Sequence, residues 1–355
     1  MATKDPVEEL KREIDSLQNS INSLQSKVRL SAARDSLEDL HSKVSGLPNR
    51  LQDLRTRGYP FEKALESKAE ELGQRFATVR PSVLAQIDQQ ALSLERSIRP
   101  IEDDFRRLVG QASSPAIAKP LAMQIKSAVS SVEGKVSAVA DTIRGMYDEL
   151  ENQLRDVENR VQKADWTLKQ LAEATFRLLP TEAPIRAVRA TWTKGEKADK
   201  EDPQGVLYLT DQRLLFEQKQ EKATKKVLFI TTQKEKVQNL LLETPVATVE
   251  SAKASKRGML SHEDHLDLAF SYEASVPTAH FHIDGQDSNE WQALVGRAKA
   301  REFDVDRVTP VDEVAAEKVR SAPTACPHCG GAITTQIVRG MDSIKCDYCG
   351  KLIRL

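Results

Sequence analysis

Apolar residues three and four positions apart recur through the first half of the chain, and this spacing favours helices there over strands. In the first stretch, β-branched residues alternate with leucines, which favours two parallel strands in a coiled coil. A later helix of the same chain, packed as an antiparallel hairpin, would cover the seam equally well, so both arrangements are open. The seam consists of Val7, Leu10, Ile14, Leu17, Ile21, Leu24 and Val28.

Prolines interrupt this pattern between residues 45 and 120. Each interruption is expected to kink or end a helix, because proline lacks the backbone N–H and crowds the preceding turn. The interruptions are Gly46-Leu47-Pro48, Tyr59-Pro60, Pro81, Pro100 and Ser114-Pro115.

The helical spacing is most regular from Ile125 to Leu171 and predicts one helix from about residue 120 to 178. Two consecutive four-residue steps between Met146 and Leu154 are expected to relax its supercoil. At 1.5 Å per residue, such a helix would be on the order of 85 Å long. We therefore expect residues 1–178 to form an elongated coiled-coil or bundle arm that acts as a spacer and an assembly surface.

After Leu179-Pro180 the period of apolar residues changes from helical to strand-like. Short β-branched and aromatic runs between polar turns predict about seven strands, two of them joined by a tight turn at Asp211-Gln212. A closing helix is expected to start at Asp287 or Ser288 and to bury Trp291 on its apolar face. The strand candidates are residues 185–192, 205–217 (two strands), 226–230, 239–242, 246–251, 266–272 and 279–283.

Seven or so strands followed by one amphipathic helix, whose tryptophan can plug the open end of a barrel, are similar to the pleckstrin-homology (PH) superfold. The run from Gly205 to Glu217, GVLYLTDQRLLFE, resembles the GRAM branch of it, where a glycine, an apolar-tyrosine-leucine-threonine strand, a turn and an arginine-led strand recur. The resemblance covers residues 180–303. It implies a PH-like β-barrel with a C-terminal helix that binds phosphoinositides, peptides or other proteins, and the fold alone does not choose between these.

The resemblance also implies candidate ligand-binding cations. Where relatives bind phosphoinositides, cations of the first loop and of the strands beside it hold the phosphates. Acidic residues interrupt the lysines of that loop here, so a solvated charged loop is the favoured alternative; a cleaner basic cluster at 253–257 is likewise typical of a soluble turn. The candidates are Lys194, Lys197, Lys200, Arg213, Lys253, Lys256 and Arg257.

Few other features of the sequence indicate a catalytic or metal-binding site. Two histidine pairs, His262 with His265 and His280 with His282, would make a second metal site if the fold brought them together, but histidines are common on half-exposed sheets. The serines lack a nucleophile-elbow motif, and no glycine-rich phosphate loop occurs. We therefore expect no enzymatic activity.

The four cysteines of the chain form two C-x2-C pairs, each followed by glycine: Cys326 and Cys329, then Cys346 and Cys349. This spacing is typical of a closed tetrahedral zinc site, and the glycines suit the sharp turn of a knuckle. Residues 324–355 resemble a zinc ribbon, with strands expected at 333–338, 343–345 and 352–355. A segment this short cannot bury enough core to fold unaided, so one structural Zn²⁺ is expected.

Charge and composition limit the classes of partner that we expect the protein to bind. Lysine and arginine total 52 against 53 for aspartate and glutamate, so no net field attracts nucleic acid or an anionic membrane. The N-terminal MATKDPVEEL lacks an apolar signal region, and no run approaches the about eighteen apolar residues that cross a bilayer. We expect a cytoplasmic location, with peripheral membrane contact as an alternative; in a reducing compartment paired thiols favour metal over a disulfide.

These features predict four segments: a helical coiled-coil arm (1–178), a GRAM/PH-like domain (179–303), a linker whose helix starts near Thr309-Pro310 (304–323) and a zinc ribbon (324–355). We expect a non-enzymatic scaffold or adaptor. Its arm self-associates as a homodimer, its PH-like domain binds a protein or a membrane surface, and its ribbon supplies a second docking site for protein. The alternatives are a nucleic-acid-associated regulator that binds through the ribbon and a peripheral protein that remodels membranes.

Overall fold

The structure, a computed structural model, describes residues 6–193, 199, 201–227, 230–257, 263–335 and 337–355, and within 221–235 it describes the backbone alone. Contacts divide the chain into two compact units. The first unit comprises Met1–Pro48 and Glu66–Glu158, and the second comprises Asn49–Leu65 and Asn159–Leu355. The predicted limits at 178, 303 and 323 stay predictions, because compactness does not test where a segment folds by itself.

Five helices make up the first half of the chain. The predicted single helix from 120 to 178 is wrong, because α4 ends and α5 begins around Met146-Tyr147. There the N–H groups of Met146 and Tyr147 bond to carbonyls only three residues back, at 3.1 and 3.0 Å, so the helix tightens where two four-residue steps follow each other. The helices are α1 (Pro6–Lys27), α2 (Ser31–Thr56), α3 (Ala64–Gly110), α4 (Pro115–Gly145) and α5 (Asp148–Ala172).

Three of the prolines lie inside helices and do not end them: Pro48 in α2, and Pro81 and Pro100 in α3. An internal proline costs roughly 3 kcal/mol through the lost hydrogen bond and the ring clash. Buried apolar residues on either side of each proline offset this, since each contributes about 1.5–3 kcal/mol on burial; Val83 and Ile101 are examples. The chain does leave the helix before Tyr59-Pro60, and α4 starts at Pro115 as expected.

The heptad seam of α1 is covered within the first unit by a later helix of the same chain. Leu10, Leu17, Ile21, Leu24 and Val28 are all buried. Ion pairs from Glu9 to Lys119 (3.4 Å) and from Lys27 to Glu133 (2.9 Å) place α1 along α4. Because both pairs advance in the same chain direction, the two helices run parallel rather than as the antiparallel hairpin. Homodimerisation stays a prediction.

The second unit contains an antiparallel seven-stranded sheet in the order β4-β3-β2-β1-β7-β6-β5. The turn at Asp211-Gln212 is confirmed, whereas the single strand at 226–230 is wrong, because Val227 and Ile230 belong to two different strands and pair with each other. The strands are β1 (Pro184–Thr193), β2 (Gln204–Thr210), β3 (Arg213–Val227), β4 (Ile230–Pro245), β5 (Val249–Arg257), β6 (Glu263–Phe270) and β7 (Thr278–Asp284).

The sheet is open, which corrects the expected β-barrel: β4 and β5 are its two edges. A 3₁₀ turn at Val246–Thr248 follows Pro245 and redirects the chain, so β5 pairs with β6 and not with β4. The closing helix α6 (Ser288–Lys299) is confirmed and packs against β5 and β6. Asp287 caps it by accepting from the Asn289 N–H, and Trp291, which is fully buried, donates from Nε1 to Gln286 at 2.8 Å.

The C-terminal region consists of a short helix and a two-stranded sheet. Helix α7 (Glu313–Arg320) starts after Asp312, whose carboxylate accepts from two backbone N–H groups, so Pro310 precedes the helix instead of standing in its first turn. Strands β8 (Ser343–Lys345) and β9 (Leu352–Arg354) pair as expected. The described residues of 333–338, which exclude position 336, form no strand; Ala325 bridges Ala332 instead.

Candidate functional site

Two turns with the same hydrogen bond hold the four cysteines. In each, the glycine N–H bonds to the carbonyl of the first cysteine at 2.8 Å, from Gly330 to Cys326 and from Gly350 to Cys346. Both glycines have positive φ, 74° and 70°, a conformation that glycine adopts at little cost. These turns bring the sulfurs of Cys326 and Cys349 to 3.8 Å and those of Cys329 and Cys346 to 3.7 Å.

The sulfurs are arranged to share one cation. All four lie within 4.8 Å of one another. Burial works against ionisation of the Cys326 thiol, but hydrogen bonds from the backbone N–H groups of His328 and Cys329 and from the neighbouring thiols lower its pKa to about 7. The pKa of Cys329 is raised to about 12: a hydrogen bond from Gly331 lowers it, but burial and the other three thiols outweigh this. Four thiolates at this spacing repel one another, and a metal ion removes that repulsion. The cluster can therefore hold a metal ion.

The core beneath the cluster is small. Its buried members are Cys326, Ile344, Cys346 and Ile353, and side chains such as Met341 are only partly covered. So few apolar side chains cannot fix the segment by themselves.

The C-terminal segment that carries the cysteines (324–355), called the ribbon below, is joined to the β2–β3 turn by a buried charge network. The Asp211 carboxylate, 2% exposed, accepts from Arg339 of the ribbon at 2.5 Å and from Arg307 at 2.6 Å, and also from the Ala183 N–H at 2.9 Å. Burial raises the pKa of Asp211, while the Ala183 N–H and the two guanidinium groups oppose this. The Arg339 N–H adds a bond to the Gln212 side chain at 3.1 Å.

Gly340 completes this contact. Its φ is +88°, and a Cβ at this position would lie 1.9 Å from the carbonyl oxygen of Pro180. Only glycine allows the ribbon backbone to approach the start of the sheet this closely.

The predicted phosphate ligands are dispersed, and several already have partners. Lys194, Lys197 and Lys200 lie outside the described residues. Arg213 is buried and forms a bidentate pair with Glu182, whose side chain is 0% exposed, and a further pair with Glu243. Its pKa is raised; burial opposes the shift, and the two carboxylates outweigh it.

On β5, Lys253 is exposed, Lys256 lies between Asp264 (2.5 Å) and Asp287 (3.2 Å), and Arg257 contacts Asp267 at 3.1 Å. The use of these cations as lipid or ligand contacts stays a prediction. If Arg213, Lys256 or Arg257 bound a lipid or ligand, its existing ion pairs would have to break.

The structure brings three of the predicted histidines together. His265 on β6 lies opposite His282 on β7, and the rings of His280 and His282 stack on that of His265 with centroids 5.2 and 4.9 Å away. Burial lowers the pKa of His265, aided by the two other histidines and opposed by Glu263. His262 lies outside the described residues.

Sequence reasoning missed the residues that hold the second unit together. Glu217 is buried on β3 and accepts at 2.6 Å from both the N–H and the hydroxyl of Thr175, which ties the chain after α5 to the sheet. Glu182 and Asp211 likewise join segments of the second unit. Each is an ordinary acidic residue in the sequence, and no spacing rule marks it as buried.

No helix in the described ranges is both long enough and apolar enough to cross a membrane. No family model matches the chain, and no curated protein sequence matches it either.

Solved structures similar to it include PH domains. The N-terminal PH domain of Vps36 is 17% identical over 35% of this chain and 85% of its own, with a TM-score of 0.24. The DH/PH domains of p115-RhoGEF are 14% identical over 84% and 95%, with a TM-score of 0.22. The DH/PH fragment of PDZRHOGEF in complex with human RhoA is 15% identical over 84% and 96%, with a TM-score of 0.23. Likeness at this level carries no conclusion about function.

Proposed function

We propose that this protein is a non-enzymatic adaptor in which a PH-like sheet domain carries a zinc ribbon, fixed to its β2–β3 turn, as a docking surface for a protein partner. The observation that carries the proposal is that two large side chains of the ribbon, Tyr348 and Leu352, are exposed. Tyr348 is 69% and Leu352 61% exposed, on a module whose backbone is held by Arg339 and Gly340.

Zinc is supported by the sulfur distances. Four sulfurs about 2.3 Å from a tetrahedral ion lie about 3.8 Å apart, and two pairs of the cluster are at 3.8 and 3.7 Å. Four thiolates and no oxygen or imidazole donor favour a structural, closed site over a catalytic one with an open position. Cys326, Cys329, Cys346 and Cys349 would all be ligands.

The PH-like assignment is supported by strand order and the closing helix. An antiparallel sheet that runs continuously from β4 through β1 to β5, with α6 packed on β5 and β6, matches the expected superfold apart from its open edge. The GRAM-like residues have structural uses here. A Cβ on Gly205 would lie 1.9 Å from the Glu217 carbonyl oxygen, and Tyr208 and Arg213 belong to buried networks.

A protein partner is favoured over an anionic membrane because the described cations are largely neutralised. Lys256, Arg257 and Arg213 each contact at least one carboxylate. An exposed tyrosine on a rigid module is, by contrast, a common anchor of protein interfaces. The non-enzymatic part of the proposal rests on three buried carboxylates, those of Glu182, Asp211 and Glu217. Each already makes contacts that join segments of the chain.

The experiment replaces Tyr348, in the full-length protein, with a photoreactive phenylalanine analogue and crosslinks it in the native cell. A matched control places the analogue at Tyr272, which is 84% exposed in the β6–β7 connection. We expect a discrete protein adduct from position 348 that Leu352→Asp abolishes and that does not form from position 272. Equal labelling from both positions, or an adduct insensitive to Leu352→Asp, would refute the docking role.

Two further measurements separate the alternatives. Flotation with anionic liposomes, compared between the intact protein and a Lys253/Lys256/Arg257 charge-reversed variant, tests membrane contact. Nucleic-acid binding that falls steeply with salt would indicate phosphate contacts through counterion release. Either result in the absence of a protein adduct would replace the adaptor function.

A further inference from the structure

A polar cluster lies on the face of β6 and β7 that points away from the core. Along these strands Leu266, Leu268 and Phe281 are buried in the core, so the alternate residues face the other way. His265 pairs directly across from His282, and Asp267 from His280. The register therefore assembles three imidazoles and a carboxylate from residues that lie up to 17 positions apart in the sequence (265 to 282).

A hydrogen-bond relay orients the central imidazole. Asp267 contacts His280 Nδ1, and His280 Nε2 lies 3.1 Å from His265 Nδ1. Because Nδ1 makes this contact, Nε2 is the His265 nitrogen that faces Glu263.

Nε2 of His265 faces a carboxylate at a buried position. It lies 3.5 Å from a Glu263 oxygen, and the His265 side chain is 1% exposed. An imidazole nitrogen and a carboxylate oxygen are both donors that bind transition metals in proteins.

We propose that this position binds a divalent transition metal, with Glu263, His265 and His282 as ligands and His280 and Asp267 as the hydrogen-bonded pair that orients His265. Each of the three ligands offers one donor atom, and the three atoms lie within 4.8 Å of one another. Two imidazoles and one carboxylate are a donor set for Zn²⁺, Co²⁺ and related ions rather than for Ca²⁺ or Mg²⁺.

The side chains that must move are free to do so. Donor atoms about 2.0–2.2 Å from a tetrahedral ion lie about 3.3–3.6 Å apart, so the ligands close inward by on the order of 1 Å. His265 is fixed by the relay, whereas Glu263 is 53% and His282 23% exposed. Asp284 Oδ1 lies 3.8 Å from His282 Nε2 and offers an oxygen for the fourth position on the metal. Water or another ligand can otherwise fill that position.

Charges on the neighbouring strands do not oppose a cation strongly. On β5, Arg257 pairs in register with Glu263, and its guanidinium is held by Asp267 at 3.1 Å. Lys253 pairs in register with Asp267, and Arg189 of β1 pairs with Asp284. The remaining cross-strand neighbours, Ser255, Thr191 and Thr193, are uncharged.

The test adds Co²⁺ to the full-length protein with its cysteine site already filled by zinc. We expect one further equivalent to bind and to give d–d absorption without a thiolate-to-cobalt charge-transfer band, which distinguishes this site from the cysteine cluster. Glu263→Gln and His282→Gln should each weaken binding at least about tenfold, and His280→Gln by roughly tenfold through lost orientation. His41→Gln and Glu250→Gln, which remove the same groups elsewhere, should leave it unchanged.

His265 itself is not substituted, because its burial would confuse loss of metal with loss of folding. Far-ultraviolet circular dichroism of each variant establishes that the sheet is intact. The proposal is overturned if the wild-type protein binds no second equivalent at micromolar Co²⁺, or if folded Glu263→Gln and His282→Gln bind as the controls do. It does not depend on the adaptor function, since the ribbon cysteines take no part.

Discussion

The contact between the ribbon and the sheet domain makes the sharpest prediction. Arg339→Met removes the guanidinium that contacts Asp211 at 2.5 Å and Asp304 at 3.1 Å but keeps the aliphatic stem. Breaking a buried ion pair from one side costs about 3–5 kcal/mol. We expect the lower end, about 3 kcal/mol, because Arg307 still holds Asp211 at 2.6 Å.

This loss should appear as local opening. At 1.4 kcal/mol per factor of ten, about 3 kcal/mol raises the population of the undocked state on the order of 100-fold. Hydrogen exchange of the full-length protein should show it as faster exchange in residues 204–217 and 337–345, while α4 stays protected. Lys351→Met, which removes an exposed cation of the same module, is the control and should change neither region.

The pH dependence identifies the cause. Burial raises the pKa of Asp211, and losing Arg339 raises it further. A carboxyl with a raised folded-state pKa contributes stability that is lost as the pH rises through that pKa, so the Arg339→Met penalty should shrink as the pH is lowered toward the ordinary aspartate value of 3.8. Exchange in 204–217 within about twofold of wild type, or a penalty independent of pH, would show that the network does not hold the ribbon.

Three further predictions concern other parts of the chain. Chelation of zinc should abolish exchange protection in 324–355 and leave the helical circular dichroism signal in place; complete unfolding in one transition would contradict this. Glu217 has a lowered pKa: burial opposes the shift, but hydrogen bonds from Thr175 outweigh it. Its stabilisation is thus lost as the pH falls below about 4.5, and Glu217→Gln should unfold less steeply than wild type in an acid titration followed by fluorescence. Leu17→Ala, in the buried α1 seam, should lower the thermal midpoint through a loss of about 3 kcal/mol; an unchanged midpoint would mean that the seam is not packed within the chain.

Periodicity predicted the kinds of element well because it reports local geometry. Apolar spacing identified the helices, and β-branched runs identified β1, β2 and β7. Of the two outcomes expected at Pro81 and Pro100, a kink or an end, the end is wrong, because α3 continues through both residues. The energetic cost of each proline could be predicted from the sequence, but the packing energy that offsets this cost could not.

The candidate sites also differ in how much of them the sequence could predict. The four cysteines could be assigned together because their spacing alone places two knuckles side by side. The histidines could not, because His265 meets His280 and His282 only through the register of β6 and β7. Asp211 and Arg339 are 128 residues apart, and neither has a local signal of burial.

The sequence by itself determined where helices give way to strands and which four cysteines lie together, since both depend on residues within a few turns or one hairpin of each other. Only the tertiary structure decided that α4 covers the α1 seam, that the sheet stays open between β4 and β5, and that Arg339 fixes the ribbon to Asp211. Those outcomes depend on contacts between distant residues, whose energies compete across the whole fold and leave no period or spacing in the chain.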